Sequence, residues 1–236
     1  MAFVRSLSAL ALSLALGAPA AATTISFQNG FDGYTGADNE SYSFDGTTSQ
    51  DQIRVDLPNA AQPDGSYAWV IFDGIFGAGA VPEGSVILSA TFEGFVRNPF
   101  IVADMTRALD DIANRPYGPG TDVLSAGGVF WDNKQSVPAF HADCGNLVEC
   151  DPPVPVAWDV TDIVQAWADG ATNFGFLLLP ETTNGGKLFA TDDPHPALRP
   201  RLVIEFSSAV VPPSVPEPAL LTLLVLAFVI AAARRA

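Results

Sequence analysis

Along the middle of the chain, apolar and polar residues alternate with a period of two. The alternation is clearest between Val86 and Phe92, where Leu88 and Ala90 share the predicted apolar face, and it recurs over residues 201–206. Such a pattern is typical of a half-buried strand that turns one face to a core.

About nine short segments fit β-strands, and clusters of Gly, Pro, Asn and Asp separate them. Two of the segments, 67–72 and 174–179, are apolar on both faces, as in strands covered above and below. The pattern predicts an all-β protein, an antiparallel sandwich or barrel. The remaining predicted strands are 24–28, 52–57, 85–93, 100–109, 128–131, 187–190 and 201–206.

One short helix interrupts this pattern. Thr161 is a good N-cap, Asp162 suits the positive end of the helix dipole, and Gly170 can end the helix. Between them lies one apolar stripe, which predicts that the helix packs on the core. The stripe consists of Ile163, Val164 and Trp167, and we expect Trp158 and Trp167 to be core aromatics.

Residues 1–22 have the features of a secretory signal peptide. Arg5 supplies a positive charge, residues 7–16 are apolar, and small residues at 18–22 offer cleavage after Ala20 or Ala22. The alternative, a permanent membrane helix, is weaker because the apolar run is about half of the roughly 20 residues that a span needs.

The other end of the chain predicts a membrane helix. Residues 219–233 are almost uninterruptedly apolar, and Arg234 and Arg235 follow, which favours a body outside the cytoplasm. Pro216-Glu217-Pro218 precedes the helix. This arrangement resembles the PEP-CTERM sorting signal of Gram-negative bacteria, and the alternative is an ordinary C-terminal anchor.

The resemblance implies an exported protein. Signal peptidase and an exosortase would process the chain, and the body would be released or attached outside the cell once the helix is removed. We therefore expect four regions: a signal peptide (1–22), a β-sandwich body (23–207), a Pro-rich linker (208–215) and the sorting signal (216–236).

Charge narrows the range of partners. The 236-residue chain has a formal net charge of −15, and the body without its ends is more acidic still. Such a field repels nucleic acid and anionic membrane surfaces, so contact with a membrane is expected only through the C-terminal helix. The frequent Phe, Val, Ile and Trp residues predict a folded core rather than disorder.

The order of segments in the body resembles DNRLRE-type domains, which are related to carbohydrate-binding module family 96. This resemblance implies a jelly-roll sandwich that serves as an accessory to an enzyme or as part of a cell-surface protein. Residues 110–157 show little correspondence to the family. The matching segments are 69–73, 77–90, 158–161, 164–167, 173–176 and 199–204.

Two cysteines enclose a five-residue segment near the Pro-rich part of the body. Because an exported chain meets an oxidising compartment, Cys144 and Cys150 are expected to form a disulfide. A zinc site would need more ligands than His141 and Asp143 provide.

No motif of a known catalytic site is present, so we expect no catalysis. The many acidic residues would supply a chance pair of carboxylates in any fold. A polysaccharide lyase would require His141 or His195 to share a cleft with Tyr or Arg. His195 stands between Pro194 and Pro196, and the sequence favours an exposed spacer there.

Binding of polysaccharide is the expected function, since exposed aromatic rings stack on sugars and polar groups fix hydroxyls. Loop-like and strand-edge positions point to the aromatic residues Trp131, Tyr117, Tyr34 and Tyr42, with a core role as the alternative for Trp131. Arg107 is a further candidate as a member of a basic patch. The acidic charge argues against polyanionic glycans unless arginines cluster. The arginines in question are Arg97, Arg107 and Arg115.

Calcium is a possible structural ion. Asp32, Asp38, Asn39 and Glu40 crowd a Gly-rich stretch that also holds Asp45, although it does not fit an EF-hand. The alternative is a solvated acidic loop. For the whole protein, the rivals to polysaccharide binding are a purely structural matrix protein and a polysaccharide lyase or hydrolase.

Overall fold

The computed structural model of the protein describes residues 21–43, 48–57, 65–97, 100–101, 103–110, 131–136, 140–141, 150–180 and 186–208. At residues 48, 100–101, 131, 133–136 and 140–141 it describes the backbone alone. All of these residues lie in the compact unit Ala21–Ser208. Within them, no helix has the length and apolar character to cross a bilayer.

The described chain is mostly β-structure with one α-helix, α1 (Thr161–Ala168), and a 3-10 turn at Pro196–Leu198. The strands are β1 (Ala22–Phe27), β2 (Ala37–Ser43), β3 (Thr48–Ser49), β4 (Gln52–Val55), β5 (Ser66–Phe72), β6 (Val86–Val96), β7 (Phe100–Ile101), β8 (Ala103–Ala108), β9 (Trp131–Ser136), β10 (Phe140–His141), β11 (Val154–Asp159), β12 (Phe176–Pro180), β13 (Gly186–Phe189) and β14 (Arg201–Ser207).

Two antiparallel six-stranded sheets make up this structure. The β6 sheet has the order β1–β14–β6–β13–β4, and β11 pairs with the other edge of β6. The β5 sheet has the order β3–β2–β5–β12–β8–β9, and β7 pairs separately with β10. The prediction of an antiparallel all-β fold with one short helix is confirmed.

A core of aromatic rings joins the two sheets. Phe92 of the β6 sheet meets Trp158 edge-to-face at 5.7 Å between ring centroids, and it meets Phe72 and Phe176 of the β5 sheet at 5.9 and 5.8 Å. Such edge-to-face pairs stabilise a core beyond the burial of their area. Trp167 of α1 adds to this core, so the prediction that Trp158 and Trp167 are core aromatics is confirmed.

The β5 sheet is buried on both faces. Ala68, Val70 and Phe72 face the core shared with the β6 sheet, whereas Tyr67 and Trp69 belong to a second apolar cluster on the opposite face. This arrangement agrees with the continuous apolar runs predicted as doubly covered strands.

The predicted alternation of apolar and polar residues is wrong at the start of β6. β14 pairs Glu205 with Ser89 but Phe206 with Ile87, so β6 contains a bulge at Leu88. One extra residue in a strand reverses which side chains face the core. Ile87 is therefore buried, while Leu88, predicted on the core face, is 48% exposed.

Side chains of α1 hydrogen-bond to the part of the β6 edge that β11 does not pair with. Thr161 Oγ1 accepts a hydrogen bond from Ala90 N at 2.9 Å, and Gln165 Oε1 accepts one from Ile87 N at 2.7 Å. Thr161 is the first residue of α1 rather than its N-cap, which is Val160. The threonine hydroxyl instead donates to Asp159, because the strand edge occupies it as an acceptor.

The rest of the helix prediction is confirmed. Asp162 lies in the first turn, the stripe Ile163, Val164 and Trp167 is buried, and Gly170 follows the helix with a positive φ of 101°. Asp159 accepts hydrogen bonds from the side chain and the backbone N–H of Thr161, and these lower the pKa of its carboxyl group.

Candidate functional site

An open cleft of about 510 Å³ lies beside the end of β13. It forms where the residue after β6, the residue before β4 and the loop after β13 come together. This volume falls within the roughly 300–1,000 Å³ typical of small-molecule sites. The cleft is lined by Asp51, Arg97, Cys150, Phe189, Ala190, Asp192, Asp193, Pro194, His195 and Leu198.

Strand pairing places an aromatic ring and a guanidinium group together in this cleft. Phe189 is half-buried at the end of β13, and the Arg97 guanidinium carbon lies 5.8 Å from the centre of its ring. Arg97 N donates to Lys187 O at 2.8 Å, which extends the pairing of β6 with β13. Arg97 O accepts from Cys150 N at 2.9 Å. The backbone on both sides therefore fixes the position of Arg97.

A turn after β13 presents an imidazole at the cleft. Asp193 Oδ1 accepts a hydrogen bond from His195 N at 2.8 Å and lies 3.2 Å from His195 Nδ1. The Asp193 side chain is buried, whereas that of His195 is 76% exposed. With Nδ1 protonated, Nε2 faces outward as an acceptor.

Side chains from elsewhere hold this turn. Arg199 donates from Nε to Asp193 O at 2.7 Å and from Nη1 to Asn29 O at 2.9 Å. Gln28 Nε2 donates to Arg199 O at 2.6 Å and to Pro196 O at 3.2 Å. Because several charge-assisted and amide hydrogen bonds anchor this loop, its backbone is held in place as one side of the cleft.

Asn39 connects the base of the same turn to the β5 sheet. It is fully buried, and its Oδ1 accepts hydrogen bonds from Thr191 N at 2.7 Å and from Thr191 Oγ1 at 2.9 Å. Its Nδ2 donates to Gln50 O at 3.0 Å, next to Asp51. One amide thus ties together both chain segments that carry the cleft's aspartates.

The cleft offers an aromatic ring, carboxylate acceptors and two kinds of nitrogen group at one concave surface. This combination suits a polar, hydroxylated ring, which needs an apolar face to lie on and groups that fix its hydroxyls. Nowhere in the described chain do three or more potential ligand residues (His, Cys, Asp or Glu) gather as a metal site would require.

The predicted calcium residues do not act as one group. Asn39 is buried, and its Oδ1 already accepts hydrogen bonds from two donors of Thr191, so the fold uses the oxygen that the calcium prediction assigned to the ion. Asp38 is exposed and Glu40 is half-buried with its carboxylate accepting from Tyr42. The stretch 37–43 is strand β2, whose alternation sends Asn39 to the face opposite Asp38. Asp32 is exposed and has a φ of 49°.

Two predicted sugar contacts have structural partners instead. Tyr34 packs edge-to-face on Phe27 at 5.2 Å, and its hydroxyl donates to Asp73 O at 2.9 Å. Arg107 makes a bidentate ion pair with Asp132, at 2.6 and 2.5 Å, and only 14% of its side chain is exposed. The hydrogen bonds to Asp132 raise the pKa of Arg107. Neither residue lines the cleft.

Tyr42 is buried rather than available to a ligand. Its ring stacks on that of Tyr67 at 5.1 Å, within the outer apolar cluster of the β5 sheet. The loop-like context predicted for Tyr42 is in fact strand β2, and this strand position explains the burial.

Several predicted residues fall outside the described part of the chain. These are Tyr117, Arg115, Asp45 and Cys144, together with the sorting residues Pro216, Glu217, Pro218, Arg234 and Arg235. Trp131 begins β9, but its side chain is not described. Cys150 is buried and is not a free thiol, and its pairing with Cys144 stays a prediction.

Sequence reasoning missed most of the cleft. Asp51, Phe189, Asp192 and Asp193 were not singled out, and His195 was interpreted as a spacer. One local signal was present, because an aspartate two residues before a proline-flanked histidine favours a hydrogen-bonded turn. The pairing of β4 with β13, which brings Asp51 beside the turn, has no such local signal.

No protein-family model matches the chain, and a search of curated proteins finds no match.

Proposed function

We propose that this protein is an exported, non-catalytic polysaccharide-binding protein and that the cleft at Phe189 is its binding site. The observation that carries the proposal is the half-exposed Phe189 ring set among carboxylates, a guanidinium and an imidazole. Sugars bind through the stacking of their CH faces on aromatic rings together with hydrogen bonds to hydroxyls. This site replaces the predicted contacts Tyr34 and Arg107.

We further propose that the body is a DNRLRE-type jelly roll. The segments that carry the resemblance lie on β5, the start of β6, the end of β11, α1, the entry to β12 and β14, in that order along the chain. The two antiparallel sheets and the single helix agree with such a fold.

Export is part of the same proposal. The signal peptide at 1–22 and the PEP-CTERM-like segment at 216–236 support transfer across the inner membrane of a Gram-negative bacterium, followed by exosortase processing. The test is the intact mass of the protein recovered outside the cell, expected to begin near Thr23 and to lack the apolar tail. Recovery of the uncut chain from the cytosol contradicts this proposal.

A glycan array followed by affinity electrophoresis tests the binding function. Phe189→Leu is expected to weaken binding of any glycan found about tenfold, the usual order for loss of one stacked ring. Phe31→Leu removes an exposed aromatic ring outside the cleft and is the matched control. If no glycan binds, the purely structural matrix protein is the better account. Equal effects of the two variants contradict the assignment of the cleft.

A polysaccharide lyase is a second candidate, because His195 and Arg97 line the same cleft. In such a reaction Arg97 would pair with a uronate carboxylate. His195 Nε2 would take the C5 proton, the C–H electrons would form a C4–C5 double bond, the C4–O bond would break with its electrons, and solvent water would protonate the departing oxygen. Absorbance of the unsaturated product, lost in His195→Ala, would support a lyase. Its absence with every uronate polymer contradicts it.

A further inference from the structure

We propose that the cleft selects glycans that carry amino groups, with the ammonium ions meeting Asp51 and Asp192 while the sugar ring lies against Phe189. This inference rests on the proposed binding function and adds the chemical class of the ligand.

The first argument is the balance of charge inside the cleft. Among the residues that the structure describes, three aspartates, one arginine and one histidine line it. Asp193 is committed to His195, and Arg97 lies against the Phe189 ring. A concave site with a surplus of carboxylates attracts cations, and the acidic chain as a whole attracts them in the same way.

The second argument is that two of the carboxylates are available. The Asp51 and Asp192 side chains are exposed and take part in no hydrogen bond or ion pair within the described chain. Each can therefore accept a charge-assisted hydrogen bond without breaking an existing contact. An ammonium group, with three donors and no acceptor, is the matching partner.

Both carboxylates line the same cleft as the ring. Gln52 pairs with Phe189 across β4 and β13, so Asp51 lies one residue from the partner of the ring. Asp192 lies in the turn after β13, three residues beyond Phe189 along the chain. A sugar on Phe189 would thus share the cleft with an acidic residue from each of two chain segments.

Other ligand charges fit less well. Three arginines could have formed a basic patch. Arg107 is neutralised by Asp132, the described part of the cleft holds more aspartates than Arg97 can neutralise, and Arg115 lies outside the described residues. A polyanionic glycan would meet repulsion from Asp51 and Asp192. A neutral glycan would leave both carboxylates without a counter-charge.

The test compares three oligosaccharides with the same β-1,4 linkage and length, made of glucosamine, N-acetylglucosamine or glucose. Calorimetry with the full chain in detergent solution, at about pH 6 where amines are protonated, measures each affinity. We expect the glucosamine oligomer to bind about tenfold tighter than the others, and that preference to fall with added salt.

Variants separate this inference from the proposed function. Asp51→Asn with Asp192→Asn is expected to abolish the preference for the glucosamine oligomer, and to weaken binding of the glucose oligomer by a smaller factor because both side chains line the cleft. Asp162→Asn, which removes a carboxylate from the exposed start of α1, is the control and should change nothing. Equal affinities for the three oligomers overturn the inference but leave the binding function standing. Absence of binding by all three, with a glycan array that is also blank, overturns both.

Discussion

Two polar stretches of this chain look alike in sequence and do different work. Residues 37–43 are acidic and follow a Gly-rich segment, and residues 190–199 are rich in Asp and Pro. The first stretch is strand β2, where Asn39 is buried and fully hydrogen-bonded. The second is an anchored turn that leaves Asp192 and His195 exposed at a cleft.

The difference shows which polar side chains are available to bind a ligand. A buried polar group must find partners inside the protein, so its hydrogen bonds are used up by the fold. A polar group on a rigid turn keeps its hydrogen-bonding capacity for a ligand. Asn39 accepts hydrogen bonds from Thr191 at the base of the turn, and the turn presents Asp192 and His195 to the proposed site.

The largest expected effect is at Asn39. Asn39→Ala would leave the buried Thr191 N–H and hydroxyl without their partner, and would also remove the part-buried hydrogen bond to the Gln50 carbonyl. We expect the free energy of unfolding to fall by about 3 kcal/mol, measured by urea denaturation. Asp38→Ala, on the exposed face of β2, should cost well under half as much. Similar losses of unfolding free energy in the two variants would contradict a special structural role for the Asn39 hydrogen bonds.

Arg199 tests the second stretch. Arg199→Ala removes hydrogen bonds to the carbonyl oxygens of Asp193 and Asn29, so we expect about 2 kcal/mol of destabilisation and weaker glycan binding. Arg201→Ala breaks only a surface ion pair with Glu93 and should cost below about 0.5 kcal/mol. Unchanged glycan affinity in Arg199→Ala would mean that the turn needs no anchor.

Tyr34 is expected to make the free energy of unfolding depend on pH. Burial, and to a lesser extent the Asp73 carboxylate, raise the pKa of its phenol above the ordinary value. A raised folded-state pKa adds stability below the unfolded pKa of about 10, and that stability is lost as pH rises above it. Tyr34→Phe should therefore lose stability by about 1 kcal/mol at pH 8 and flatten the decline above about pH 10. If the free energy of unfolding declined equally with rising pH in Tyr34→Phe and in the unaltered protein, this prediction would be wrong.

The smallest effect is expected at Asp192. Asp192→Asn removes an exposed carboxylate with no side-chain partner in the described chain, so the free energy of unfolding should change by less than about 0.5 kcal/mol. Thermal denaturation measures it. A larger loss would mean that the exposed acidic residues of the cleft also support the fold.

Much of the fold could be predicted because its signals are local. Doubly apolar segments marked β5 and β12, and the stripe from Ile163 to Trp167 marked α1. Of the strands longer than two residues, β2 was missed because its acidic residues hid the alternation, and β11 because it contains a proline. The short strands β3 and β10 were missed as well, and β9 overlaps the predicted strand 128–131 at Trp131 alone. The bulge at Leu88 reversed one predicted face, since pairing with β14 creates it.

The sequence by itself determined the all-β class, the helix, the core tryptophans and the acidic charge of the body, because period, capping and composition are properties of neighbouring residues. Only the tertiary structure decided which polar residues form a site. Asp51, Phe189 and His195 meet through strand pairing and a turn held by Arg199 and Asn39. Hydrogen bonds between residues far apart in sequence leave no pattern along the chain, so a group's partners, and hence its availability to a ligand, appear only in the folded protein.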